Sequence, residues 1–391
     1  LGIGQMRDAF ANRLFPGIST IQTRAKYFIT VARLLRDIQT GSTKKSKDAH
    51  TWLKKYEDQM AQTLTEIHGN SEKGIIGAES IDKGGVSRRP SSIYWNGLKI
   101  FSIVHTQLSL HEFCEQLASN SHIAHVANHD HDEGADDDDI DRLQRLIDLP
   151  NNIPDWQSQA PLSIHLTCVE SEFLRDKLLT VPALEHSVPA QIMRIGGLVA
   201  LFKYVGIGPA DSEPIKPEAF VFDVMAELLL KHPGVSATCK QQLKLAQGFS
   251  LAIEGAHICY NRVLATNNEL VEQASSLKQD FEHWRQKVES QALFHPDCAD
   301  DWLKVLIGSN ITKSRGFAER WCRLMQERAP LSELEAAVAK RARENKKTRS
   351  LLNKKLSGDQ LGSVSRLTFR WHVAYTLLAD IENGLAGYGD A

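Results

Sequence analysis

The 391-residue sequence predicts an all-α protein, a multi-helix array opened by an N-terminal helix-turn-helix-like hairpin. Three observations carry this. Apolar residues recur at three- and four-residue steps through most of the chain, which is the spacing of one helix face. Strand-like alternation is nearly absent, with Ser163–Thr167 the best short exception. Long periodic stretches also follow one another across short breaks containing Pro or Gly, as in packed helical arrays.

Gly2 to Phe15 reads as a first helix, with Ile3, Met6, Phe10 and Leu14 at helical spacing, and Pro16-Gly17 breaks it. Ser19 or Thr20 is placed to cap a second helix, whose stripe is Ile21, Ala25, Phe28, Ala32 and Leu35. Two helices across a short Gly-containing turn make a helix-turn-helix shape. On this reading Gln22, Thr23, Arg24 and Lys26 lie on the outward face of the second helix, residue types that hold phosphate oxygens and base edges. An ordinary helical hairpin with a polar face is the competing reading.

A polar, basic linker at 40–47 precedes a helix over 48–68 with Trp52, Tyr56, Met60 and Leu64 on one face. Residues 69–91 read as loop. Ser91-Ser92 then caps a helix containing Ile93, Tyr94, Trp95, Leu98 and Phe101, and Ser109 starts another through Cys114. Further helices are expected over 189–204, 217–232, 236–266, 269–291, 302–307, 314–328, 332–356 and 364–385. The division follows: 1–127 is an N-terminal helical part, 128–161 an acidic disordered insert and linker, and 162–391 a C-terminal helical domain.

Charge is uneven along the chain. Net charge is −2, with 42% hydrophobic and 24% charged residues, so no global pull toward nucleic acid or membrane exists. Residues 1–60 nevertheless hold 11 Lys/Arg against 5 Asp/Glu, and 310–370 hold 15 against 6. Residues 121–141 hold 8 acidic residues and no Lys or Arg. Basic ends are the electrostatic footprint of a phosphate-binding protein, and also of many solvated helices. Within the second basic stretch, Lys340 to Lys355 includes Lys346, Lys347 and Arg349, the residues that best fit a helix tracking phosphates.

Six widely spaced cysteines without a C-x-x-C pair argue against a zinc ribbon or disulfide framework and for a reducing cytoplasm. No apolar run long enough for a membrane span and no secretory signal is visible. The chain opens at Leu1, so a preceding segment is expected.

No motif assigns catalysis. A P-loop, H-E-x-x-H, G-x-S-x-G and the H-x-K core of phospholipase-D-type nucleases are all absent from the sequence. Glu254 and His257 form a Glu-x-x-His on one helical face, as in di-iron bundles, but the second copy and two further glutamates are missing. The pair reads as a buried polar pair. His129, His131 and the neighbouring aspartates are metal-capable types in a low-complexity acidic stretch with nothing to hold them rigidly. No cofactor, metal or catalytic residue is assigned.

Several stretches carry a resemblance to a bacterial family of unknown function. They are Leu1-Gly-Ile-Gly-Gln5 with Arg7-Asp8-Ala9-Phe10, Leu14-Phe15-Pro16-Gly17, Ser19 to Ala25, Tyr27-Phe28, and Pro90 to Leu98. Gly255-Ala256, Tyr260-Asn261, Leu264-Ala265, Arg370-Trp371, Asp380-Ile381 and Gly384-Leu385 extend it. The acidic insert lies outside the pattern. The resemblance implies an accessory subunit of a DNA-targeting system, encoded beside helicases and phospholipase-D-like nucleases in bacterial defence islands.

Two functions are therefore expected as rivals. One is a non-catalytic DNA-binding or assembly subunit of an anti-phage complex, with duplex DNA as ligand and helicase and nuclease subunits as partners. The other is an unfamiliar metal-dependent nuclease or other enzyme using Glu254 and His257. Three or more convergent carboxylate or His side chains would favour the second, and a continuous positive surface the first.

Overall fold

The structure is a computed structural model describing residues 1–40, 49–69, 71–79, 86, 88–127, 146–150, 162–204, 221–307, 312–357, 361–362 and 364–389, with the side chains of 120–127 outside the description. Among these residues it is all-α, with no strand and one isolated bridge between Val104 and Ile147. No helix of the described residues is long and apolar enough to cross a membrane. The linker at 41–47, the acidic stretch 128–141 and most of the expected boundary at 128–161 lie outside the described residues.

The chain divides into two compact units, each assembled from separated stretches. The first comprises Leu1–Leu14, Phe222–Leu230 and Ala237–Phe369. It contains α1 (Gly4–Leu14), most of α9 (Phe222–Lys231), α10 (Ala237–Asn267), α11 (Val271–Ser290), α12 (Pro296–Lys304), α13 (Thr312–Gln326) and α14 (Leu331–Lys346). Its axis is α10, which the apolar stripe of the sequence placed within one residue at each end. Trp284 of α11 and Trp321 of α13 each donate an indole N–H to an α10 carbonyl, Leu251 O at 2.8 Å and Ala252 O at 2.9 Å. Gly255 makes room for the Trp284 ring, which a side chain there would overlap. Phe10 of α1 stacks on Phe249 at 4.5 Å between centroids.

The second unit comprises Phe15–Val221, Lys231–Ser236 and Arg370–Ala391. It holds α2 (Lys26–Gln39), α3 (Ala49–His68), α4 (Pro90–Ile100), α5 (Leu110–Ala127), α6 (Cys168–Thr180), α7 (Val188–Arg194), α8 (Gly197–Tyr204) and α15 (Trp371–Leu385). Phe28 of α2 lies edge-on to Tyr94 at 5.0 Å and stacks on Phe101 at 4.7 Å. Several helices here start on side chains from elsewhere in the chain. Glu57 of α3 accepts the Ser91 N–H at 2.6 Å, so a distant carboxylate, not Ser91 or Ser92, satisfies the start of α4. Glu382 of α15 accepts the N–H groups of Leu198 and Val199 at the start of α8.

Three expectations are corrected. The hairpin's second helix begins at Lys26, not Ser19, and 15–25 is non-helical, so no short turn joins two helices. The reason is that the backbone of this segment is satisfied by side chains: Tyr94 Oη accepts the N–H groups of Thr23 and Arg24, and Gln22 donates to Gly17 O. α1 and α2 also belong to different units. The helix expected over 189–204 is two helices, because Gly196 and Gly197 both take positive φ. The helix expected over 332–356 stops at Lys346, where Lys347 adopts φ +49° and two short 3₁₀ turns follow.

Candidate nucleic-acid interface

The residues expected to read DNA fall into two physically different groups. Gln22, Arg24 and Lys26 are 3%, 8% and 6% exposed, and Thr23 is half-buried, so the outward face expected of them is not formed. A buried cation needs a partner, and each has one. Arg24 Nε lies 3.0 Å from both oxygens of Asp380, Nη1 donates to Glu72 at 2.9 Å and to Lys73 O at 3.2 Å, and Nη2 lies 3.0 Å from Asp380. Nη2 also meets His165 Nδ1 at 3.4 Å. Every guanidinium nitrogen is thus engaged. Burial works against its charge, but Asp380 and Glu72 outweigh that and raise its pKa. Lys26 Nζ donates to both oxygens of Glu170 at 2.8 and 2.6 Å. Glu170 also completes the capping box at the start of α6 with Thr167.

This ionic hub forms one wall of a cavity of about 770 Å³, also lined by Thr20, Lys73, His372, Thr376 and Asn383. His165 sits there with Nε2 3.4 Å from Glu72, its ring against His68. The hub ties segment 20–24 to the loop at 71–74 and to α15. It spends its charges on one another.

The second group is free. Lys346, Lys347 and Arg349 are exposed. They end and follow α14, whose face with α13 opens into a groove of about 1120 Å³. Lys313, Arg320, Lys340, Arg341 and Lys347 line it, with Glu344 the one carboxylate among the lining residues. Lys340 lies 4.0 Å from Glu344. Among the described residues the other four cations have no carboxylate within ion-pair distance. Composition flagged the 340–355 half of this groove. Lys313 and Arg320 were missed, because nothing in sequence says that α13 stands beside α14.

Glu254 and His257 stay apart from any cluster. Glu254 is half-buried and faces Arg366 Nε at 3.9 Å, while Arg366 also binds Asp223 at 2.7 Å. Burial pushes His257 down to about 4 and Glu254 up from the ordinary carboxylate range. Among the described residues no group of three or more His, Cys, Asp or Glu side chains is placed to hold a metal ion.

No curated protein and no solved structure matches the chain. The model of a family of unknown function (DUF6361) matches residues 1–184. That stretch carries Arg24, Lys26, Glu72, His165 and Glu170 of the hub and, of the groove lining, Gln5 but none of its cations.

Proposed function

We propose that the chain is a nucleic-acid-binding accessory subunit that holds duplex DNA through its phosphates at the α13–α14 groove and the exposed cations after it. The observation that carries this reading is the groove itself, where four cations from two helices and Lys347 just after them line the surface with one carboxylate. Unpaired Lys and Arg side chains in one concave surface attract a polyanion and release its condensed counterions. The lining offers no exposed aromatic ring, since Phe317 is buried, so the contact is to backbone and not to stacked bases. Arg24 and Lys26 serve the fold in this reading. Helicase and nuclease subunits of a defence complex are the partners that the sequence resemblance brings to the proposal.

Fluorescence anisotropy of a labelled duplex at low salt tests it. The charge reversal Lys346→Glu/Lys347→Glu weakens binding by about tenfold or more, at about one phosphate contact per cation. Unchanged affinity contradicts the proposal.

A further inference from the structure

Arg341 is the unusual member of the groove. It is 7% exposed, whereas Lys313, Arg320, Lys340 and Lys347 around it are exposed. Its Nε donates to Leu1 O at 2.9 Å and its Nη2 to Ser314 Oγ at 2.9 Å. Both acceptors are neutral. Nη1, with two N–H groups, has no partner among the described residues and is not sealed from solvent. A guanidinium so deeply placed is normally matched by a carboxylate, as Arg24 is by Asp380. Here Glu344 favours its charge from a distance, but among the described residues no carboxylate is bonded to it, which leaves Nη1 open to an anion from outside.

We propose that the floor of this groove binds a terminal phosphate monoester of a nucleic-acid strand. The inference rests on the DNA-binding reading and adds where on the nucleic acid the groove acts. An internal phosphodiester carries one charge and is flanked by the chain on both sides. A terminal monoester carries about −1.5 to −2 and three acceptor oxygens at the end of a strand. At the groove it meets the free Nη1 donors of Arg341, with Lys313 and Lys340 in the same lining. Asn345 and Gln5 add neutral donors at the wall. The absence of an exposed ring in the lining agrees with recognition of an end group over a base.

The test uses the whole chain and one short duplex, labelled internally and made with 5′-phosphate, 3′-phosphate or hydroxyl ends. One phosphate-bearing form binds at least about tenfold more tightly than the hydroxyl form, which is the worth of a charge-assisted hydrogen bond. The preferred arm tells which end is used. Arg341→Gln removes the difference between the phosphate and hydroxyl ends. Because Arg341 also holds Leu1 and Ser314, Lys313→Gln on the exposed rim provides a second variant, and it shrinks the same difference. A covalently closed duplex circle does not compete for the increment, and inorganic phosphate does. Equal affinity for phosphate and hydroxyl ends overturns the inference while leaving duplex binding intact. Absence of binding to every duplex overturns both.

Discussion

Arg24 shows how a side chain's type can be plain in sequence while its environment is not. Next to Lys26 in a basic N-terminal stretch it reads as a surface cation. Its principal partner, Asp380, lies 356 residues away, and nothing local signals the pairing. Lys346, Lys347 and Arg349 are the opposite case. Like charges packed together with few carboxylates nearby cannot all be buried, so their exposure was legible from composition alone. Removing one partner of a buried pair leaves the other charge stranded. Arg24→Ala is therefore expected to destabilise the protein by about 3–5 kcal/mol, and Arg24→Ala/Asp380→Ala by less than the sum of the single changes. Urea unfolding checks this, and a loss of ~0.5 kcal/mol or less for Arg24→Ala would return it to the surface.

Elements were legible where their own residues define them. The stripe of α10 fixed its ends because a long buried face leaves little choice of register. The starts of α2 and α4 were not, because Tyr94 and Glu57 satisfy backbone groups that a local cap was expected to take. That device has a pH signature. Burial pushes Glu57 up to about 7, and Glu382, which caps α8, likewise to about 7, from an ordinary value of 4.5. The folded state then holds these protons more tightly than the unfolded one. The stabilisation is complete below about 4.5 and is lost as pH rises through about 7. Urea midpoints are expected to fall over that window and Glu57→Gln to flatten the slope, since the amide keeps an acceptor for Ser91. A midpoint rising with pH would contradict the assignment. Two glycines test packing in the same way. Gly255→Ala forces the Trp284 ring aside and costs about 1–3 kcal/mol. Gly316→Ala, in the exposed middle of α13 with nothing near its added methyl, stabilises by about 0.4–1 kcal/mol. Thermal melts of the two variants should move in opposite directions.

At the scale of the molecule, the all-α class followed from periodicity, but the grouping of helices did not. Each unit draws on both ends of the chain, so chain order says little about which helices share a core. The groove shows the consequence. Its two walls come from one unit, and only the wall built by the basic run after Val338 announced itself in the sequence. The central claim is that phosphate-binding charge resides on this groove and not on the N-terminal segment. The slope of log affinity against log salt for a labelled duplex measures it most directly. Lys313→Ala/Lys347→Ala/Arg349→Ala is expected to lower that slope by about three units, one for each cation lost. A slope equal to that of the unmodified protein would show that the duplex binds elsewhere, or not through phosphates.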